Sequence, residues 1–137
     1  MDRTVLQKLA EDRLLDCEIL LREGRFSGAY YIGGYAAECG LKACIAKNIR
    51  EFEFPDKRTV QLSYSHNLSQ LLGVSGLERV LDTAMKNDPK LAVNWSLVKD
   101  WTEETRYQRK SRQEAVDLYE ALKDNAHGVM KWLRSNW

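Results

Sequence analysis

The densest group of charged side chains in this sequence is a run of seven residues in its last third. Arg106, Arg109, Lys110 and Arg112 supply four cations in this run, and Tyr107 places an aromatic ring among them. Guanidinium groups bind phosphate oxygens through paired hydrogen bonds, and a flat aromatic ring can stack on a nucleic-acid base. The run therefore predicts a site for a phosphate that belongs to a nucleotide or a nucleic acid.

The basic run leads directly into the start of a well-signalled helix. Ser111 is followed three residues later by Glu114, which is the pattern of a capping box. The first turn of a helix carries free N–H groups and the positive end of the helix dipole, and both favour an anion. This position supports the phosphate prediction. The alternative is a solvated basic loop whose charge is balanced by the preceding Glu103 and Glu104.

The two histidines are the ordinary side chains that titrate closest to neutral pH. His66 opens a predicted short helix, where it is either a capping or packing residue or a polar group at the mouth of a cleft. His127 lies beside the core position Ala126 of the predicted last helix. No Ser–His–Asp or Cys–His arrangement follows from the spacing, so the side chains alone do not predict an enzyme.

The sequence predicts neither a metal site nor a cofactor. The carboxylates show no metal-binding pattern, and the Gly33-Gly34 pair lies inside a predicted helix rather than in a phosphate-cradling loop after a strand. The three cysteines, Cys17, Cys39 and Cys44, form no short Cys-x-x-Cys pair and lie in apolar helical stretches. We therefore expect them to be buried free thiols.

The composition is that of one globular domain over residues 1–137. Hydrophobic residues make up 44% of the chain, charged residues 30%, and the net charge is only +1. Binding to nucleic acid must therefore depend on local clusters of cations rather than on overall charge. No apolar run approaches the roughly 20 residues that span a bilayer, and no signal segment precedes the first helix. We expect a cytoplasmic protein without membrane contact.

The elements that must position these residues are helices, because apolar residues recur at steps of three and four. Helices are predicted over Thr4–Glu23, Phe26–Arg50 and His66–Leu72, after Ser75, over Pro89–Trp101, and from Ser111 along an apolar face that reaches Leu133. Ser65 and Ser75 are predicted helix caps, and residues 52–65 are predicted to be irregular. The predicted fold is all-α, an up-and-down four-helix bundle of long helices with additional short helices.

A stripe of small residues runs along the second predicted helix. Gly33, Ala37, Gly40 and Cys44 share one face, and glycine inside a helix costs about 1 kcal/mol. Something must therefore approach this backbone closely. Either a neighbouring helix of the same chain or the seam of a homodimer would fit. In the same helix Glu38 and Lys42 are four residues apart and are predicted to form an ion pair.

Several segments, taken as an ordered set between Leu6 and Leu133, resemble the HEPN family of small helical bundles. The strongest is the second-helix run FSGAYYIGGYAAECGLKA, which begins at Phe26. The others follow it in order along the chain: Tyr64-Ser65-His66-x-Leu68, Asn94-Trp95, Trp101 and Arg106-Tyr107.

The resemblance implies an up-and-down helical bundle that is commonly dimeric. Some members are ribonucleases, often toxins paired with a small nucleotidyltransferase antitoxin, and others lack catalysis and bind nucleotides or support a partner. The ribonuclease members carry an Arg-x4–6-His motif. Arg106 matches its arginine, but Ser111, Arg112 and Gln113 fill the three positions open to its histidine. This departure argues against RNA cleavage.

We therefore interpret the sequence as a non-catalytic HEPN-like module that binds a nucleotide or nucleic-acid phosphate, as one half of a toxin–antitoxin-type pair. The predicted binding residues are Arg106, Tyr107, Arg109, Lys110, Arg112 and His66. Two alternatives stay open. One is a ribonuclease toxin with an atypical active site, and the other is a partner of a small nucleotidyltransferase that has no ligand of its own. A homodimer is expected from the glycine stripe and from the habit of the family.

Overall fold

Helices make up all the regular structure in the part of the chain that the structure describes. A computed structural model describes residues 1–49 and 53–137. The helices follow one another as α1 (Arg3–Arg22), α2 (Phe26–Asn48), α3 (Lys57–Ser63), α4 (Leu68–Ser75), α5 (Glu78–Asn87), α6 (Pro89–Val98), a 3₁₀ helix (Glu103–Tyr107), α7 (Arg112–Lys123) and α8 (Val129–Arg134). The predicted all-α, bundle-like fold is confirmed. None of the described helices is long and apolar enough to cross a membrane.

Two of these helices are long, and α2 is the central one. Helix α1 has 20 residues and α2 has 23, whereas the other described helices have 12 or fewer. Helix α2 packs against α1, α4, α7, α8 and the 3₁₀ helix. The sequence predicts four long helices, but the structure divides the second half of the bundle among shorter ones. A helix that contacts several neighbours must be apolar on several sides, as the α2 sequence is.

The turn between α1 and α2 is built around a left-handed glycine. Gly24 has φ +74°, and the Arg25 N–H donates to the Leu20 carbonyl at 2.8 Å. A residue with a side chain rarely adopts this backbone conformation. Farther along, Gly28 of α2 faces Leu20 while Gly33 faces Cys17, so the two helices run antiparallel. A glycine between two apolar helical stretches predicts a helix stop, and so short a turn predicts antiparallel helices; the structure has both.

The small-residue stripe of α2 is covered by side chains of the same chain. A Cβ atom placed on Gly33 would lie 3.0 Å from Cys17 Sγ and 3.3 Å from Leu118. One placed on Gly40 would lie 2.8 Å from Leu133. Of the two explanations for the stripe, the structure therefore favours close packing within the chain. Dimerisation stays a prediction that now depends on the HEPN resemblance alone.

The predicted last helix is wrong in its length. One continuous helix was expected as far as Leu133, but α7 ends at Lys123 and a turn separates it from α8. The Asp124 carboxylate accepts the His127 backbone N–H at 2.7 Å, which holds the chain in a turn. At Gly128 a Cβ atom would collide with the Asp124 carbonyl. His127 consequently lies in a turn rather than in a helix.

The predicted caps of the middle helices are displaced by two residues. Asn67, not Ser65, caps α4 by accepting the Gln70 N–H at 2.9 Å. Ser75 is the last residue of α4 rather than the cap of α5, and its Oγ accepts the Leu77 N–H at 3.3 Å. The serines form local turns beside the helix starts because short hydroxyl side chains bond equally well to nearby backbone groups.

Part of the segment predicted to be irregular is helical. Asp56 caps the short helix α3 by accepting the Thr59 N–H at 3.0 Å, so residues 57–63 are helical. The predicted second helix was extended to Arg50, whereas α2 ends at Asn48. Arg50 itself and Phe52, where the irregular segment was predicted to begin, lie outside the described residues.

Three of the four tryptophans lie in the core, and two of the three thiols that were predicted to be buried are buried. Trp95, Trp101 and Trp132 are buried. All three cysteines are free, two of them buried and Cys39 half-buried. Burial raises the pKa of Cys17 to about 12 and that of Cys44 to about 11. These two thiols are therefore packing groups rather than nucleophiles.

A carboxylate at the start of α6 holds the turn between α7 and α8. Asp88 caps α6 by accepting the Leu91 N–H at 3.3 Å, and its other oxygen lies 2.7 Å from His127 Nδ1. Asn94 of α6 donates to the His127 carbonyl at 2.9 Å. The hydrogen bond with His127 lowers the pKa of Asp88. The turn is thus tied to α6 through one carboxylate and one amide.

Replacing Asp88 should change how stability depends on pH. A carboxyl group whose pKa is lowered by folding stabilises the fold above its unfolded-state pKa, and this contribution is lost as the pH falls through the folded-state value. We expect Asp88→Asn to have a lower free energy of unfolding than wild type at about pH 6. This difference should shrink as the pH falls toward about 3. The midpoints of urea unfolding of both proteins, measured across this pH range, give the difference in stability. A difference that stays constant or widens in acid would contradict the role of the Asp88 charge.

Candidate anion-binding surface

The predicted capping box at the start of α7 is confirmed, and it places a carboxylate at this helix end. Ser111 Oγ accepts the Glu114 N–H at 3.1 Å, and Glu114 Oε1 accepts the Ser111 N–H at 3.1 Å. This second bond is the main cause of the lowered pKa of Glu114. A negative charge therefore already lies at the start of α7. Phosphate contacts must come from side chains of the basic run rather than from the backbone N–H groups of this helix end.

The structure divides the six predicted binding residues into separate groups. Arg106 and His66 lie beside two tyrosines of α2, and Tyr107 lies against Arg106. Arg109 and Lys110 lie near the turn between α1 and α2, and Arg112 is exposed in the first turn of α7. His66 and Arg106 are far apart in the sequence, and the fold places both beside the same pair of tyrosines.

The tyrosine pair consists of Tyr31 and Tyr35, one helical turn apart on α2. Their hydroxyl oxygens are 3.5 Å apart, and their rings meet edge to face with centroids separated by 5.2 Å. The buried indole ring of Trp101 lies 5.1 Å from the Tyr35 ring and 6.4 Å from the Tyr31 ring. The ring fits against α2 because the facing residue is Gly34, where a Cβ atom would overlap the indole. Trp101 therefore supports both tyrosines from the core side.

Arg106 approaches this pair from the exposed side. Hydrogen bonding with Tyr107 and then with Tyr31 raises the pKa of the Arg106 guanidinium. Its Cζ atom lies 4.8 Å from the centre of the Tyr107 ring, which is itself 76% exposed. Burial raises the pKa of Tyr35, which keeps its hydroxyl protonated and able to donate. The surface therefore offers a permanent cation, neutral hydroxyl donors and an open aromatic ring.

His66 borders the same pair and is fixed by a buried carboxylate. Its Nδ1 lies 3.0 Å from both oxygens of Glu38, and its ring centre is 6.1 Å from that of Tyr35. Glu38 is only 3% exposed and also accepts from Lys42 Nζ at 2.9 Å, which confirms the predicted ion pair. When Nδ1–H donates to Glu38, Nε2 is the ring nitrogen left for a ligand.

Sequence reasoning missed three of the residues that organise this surface. For Tyr31 and Tyr35 the sequence pattern indicates only an apolar helix, and for Glu38 it predicts only an ion pair with Lys42. A signal was present, because Ser27, Tyr31, Tyr35 and Glu38 follow one another at steps of four, four and three. That spacing puts polar atoms on one face of a helix that is otherwise apolar. A polar stripe on a buried helix indicates a neighbouring polar surface.

The second group is fixed to α2 one to two turns closer to its start. The Lys110 backbone N–H donates to Ser27 Oγ at 2.9 Å, and Lys110 Nζ lies 4.6 Å from the centre of the Tyr30 ring. The same Nζ is 3.5 Å from a Glu114 oxygen, so within residues 1–49 and 53–137 Lys110 is the one cation of the basic run with a carboxylate beside it.

The arginines of the run are not neutralised by carboxylates. Among residues 1–49 and 53–137, none of the guanidinium groups of Arg106, Arg109 and Arg112 forms an ion pair, whereas Arg134 binds Glu11 with two nitrogens. The alternative of a basic loop balanced by Glu103 and Glu104 has no ion pair to support it in the described part of the chain, although Lys110 of the run pairs with Glu114. Unpaired guanidinium groups beside neutral hydroxyls form a surface that can bind an anion.

No protein-family model, curated protein or solved structure matches this chain. The resemblance to the HEPN family therefore depends on the quoted residues alone. Over the described ranges no group of three or more His, Cys, Asp or Glu side chains is arranged to hold a metal ion. The chemistry that the arrangement offers is the binding of an anion next to an aromatic ring.

Proposed function

We propose that this protein is a HEPN-like module that binds a phosphate group of a nucleotide or nucleic acid at the surface formed by Tyr31, Tyr35, His66, Arg106 and Tyr107. The observation that carries the proposal is that Arg106 and His66, 40 positions apart in the sequence, border one tyrosine pair. A phosphate carries negative charge and several acceptor oxygens, which match an unpaired guanidinium and nearby donors. Neither residue alone would define a site.

Each residue has a distinct role in this proposal. Arg106 binds two phosphate oxygens, and the Tyr35 hydroxyl, which accepts from Tyr31, lies nearby as a further donor. His66 donates Nε2–H to a phosphate oxygen as the imidazolium, because its other nitrogen donates Nδ1–H to Glu38. The exposed Tyr107 ring stacks on the base of the same nucleotide, an interaction worth about 1–3 kcal/mol per base. Trp101 holds the tyrosines in place and does not touch the ligand.

Thermal unfolding with ATP, GTP and a short RNA tests the proposal. A ligand at about 100 times its dissociation constant should add about 2.7 kcal/mol of stability, which raises Tm by about 10 °C. Arg106→Ala should weaken binding about 10-fold to 100-fold, because it removes a charge-assisted contact. Arg79→Ala is the matched control, since Arg79 is an exposed arginine on α5. Equal binding by wild type and Arg106→Ala would refute the proposed site.

The Glu38–His66 pair favours RNA cleavage as a second candidate function. A carboxylate that orients an imidazole is a common arrangement for proton transfer. In such a reaction the 2′-oxygen of RNA attacks the adjacent phosphorus, and His66 Nε2 takes the 2′-hydroxyl proton. The proton then passes through solvent to the 5′-oxygen as the P–O5′ bond breaks, leaving a 2′,3′-cyclic phosphate and a 5′-hydroxyl end.

Incubating a single-stranded RNA with the protein and a metal chelator distinguishes cleavage from binding. The cleavage candidate predicts fragments with cyclic phosphate ends from wild type, and intact RNA from His66→Ala. Glu38→Gln should slow cleavage while retaining an oxygen acceptor for the ring. RNA that is bound but stays intact with wild type would remove the second candidate and leave the proposed binding function standing.

A further inference from the structure

A second group of cations lies around the start of α2. Arg25, Arg109 and Lys110 line a surface cavity of about 440 Å³, together with residues 24 and 26–28. The hydrogen bond from the Lys110 N–H to Ser27 fixes the basic run to α2 at this point. Within the described part of the chain neither Arg25 nor Arg109 has a carboxylate partner. The charges of Arg25 and Arg109 are therefore available to an external anion.

Helix α2 fixes the distance between the two groups. Glu38, the carboxylate that fixes His66, lies 13 positions after Arg25. At about 1.5 Å per residue this corresponds to about 20 Å along the helix. The basic run follows the same line, since Arg106 lies at Tyr31 while Lys110 lies at Ser27. The two groups are thus the ends of one continuous strip.

We propose that this strip binds a single strand of nucleic acid across several consecutive phosphates. His66 and Arg106 contact the phosphates at one end, and Arg25, Arg109 and Lys110 contact those at the other. This inference rests on the proposed function and extends it from one phosphate to a strand. A mononucleotide carries its phosphates at one point and cannot reach both ends of a strip about 20 Å long.

The length of the strip sets the length of the ligand. A helical strand spaces its phosphates about 3.4 Å apart along its axis, so about 20 Å corresponds to about six phosphates, and fewer in an extended strand. Tyr107, exposed between Arg106 and Arg109 in the sequence, gives one base a ring to stack on. Base stacking on a side chain requires an unpaired base, which favours a single strand over a duplex.

Binding of labelled oligonucleotides of two, four, six and eight residues tests the strip, with ATP as the single-nucleotide probe. Wild type should gain affinity up to about six nucleotides and then level off. The double variant Arg25→Ala/Arg109→Ala should lose about 10-fold for the six-nucleotide RNA and little for ATP. Arg58→Ala/Arg79→Ala removes the same charge elsewhere and should bind like wild type. DNA of the same sequence should bind through the same phosphates, and a matched duplex should bind more weakly.

Salt dependence gives a second readout that a misfolded variant would not mimic. Each phosphate contact on a single strand adds about −0.7 to the slope of log K against log salt, so the double variant should lose about 1.4 from the slope for the six-nucleotide RNA. An unchanged slope and affinity in that variant, with a loss in Arg106→Ala, would overturn the strip and leave the proposed function intact. No loss in either would overturn both. A duplex that binds as tightly as the single strand would overturn the single-strand assignment.

Discussion

Gly34→Ala should destabilise the protein by about 3 kcal/mol, even though alanine is the better helix former. The added methyl group would overlap the indole of Trp101, which is 1% exposed and packs against α2 at Gly34, beside the tyrosine pair. A buried ring has no room to move aside, so the backbone or the ring must shift. At about 4 °C per kcal/mol for a chain of this size, Tm should fall by about 10 °C.

Gly28→Ala is the matched control for this prediction. It lies in the same helix, but its added Cβ atom would meet only Leu20 at an ordinary 3.7 Å. Alanine there should be neutral or stabilising by up to about 1 kcal/mol. Thermal unfolding of both variants gives the comparison. If Gly34→Ala were as stable as Gly28→Ala, the close approach of Trp101 to α2 would be wrong, and with it the support for the tyrosine pair.

Glu38→Ala should destabilise the fold by about 3 kcal/mol, the low end of the range for breaking a buried ion pair. Glu38 is buried, and the side chain of its partner Lys42 is only 19% exposed, so the lysine would keep its charge with little solvent around it. The low end applies because His66 and Lys42 are both partly solvated. His66 would also lose the carboxylate that orients its ring.

Two controls separate the charge of Glu38 from its hydrogen bonds. Glu38→Gln keeps an oxygen acceptor for Lys42 and His66, and should cost less than Glu38→Ala. Glu18→Ala breaks the exposed pair with Arg22, and should cost about 0–1 kcal/mol. Urea unfolding measures all three. Equal losses for Glu38→Ala and Glu18→Ala would show that the Glu38 carboxylate is not a buried anchor.

The fold could be predicted where it depends on local pattern. The apolar periodicity of α1, the glycine turn at Gly24 and the Ser111–Glu114 capping box involve residues within a few positions of one another, and the structure has all three. The break between α7 and α8 was missed because the apolar spacing continues through it. There the side chain of Asp124 accepts a backbone N–H that a continuous helix would use. The spacing of apolar residues carries no information about such a hydrogen bond.

The candidate site could be predicted only in part, for a related reason. Clustering in the sequence identified Arg106 and its neighbours, and the type of residue identified His66. Their convergence on the tyrosine pair depends on tertiary packing, since 28 positions separate Glu38 from His66. In the folded chain Arg109 and Lys110 lie near the turn before α2 rather than beside Arg106. A run of like charges in the sequence indicates that cations are present. The path of the folded chain determines which of these cations can contact the same ligand.

A double-mutant cycle on Arg106 and His66 tests the central claim most directly. Affinity for a six-nucleotide RNA is measured for wild type, Arg106→Ala, His66→Ala and the double variant, with each fold checked by thermal unfolding. If both residues bind one ligand at one surface, the losses should be non-additive by about 0.5 kcal/mol or more. Strictly additive losses, or no loss from His66→Ala, would contradict a shared site around Tyr31 and Tyr35.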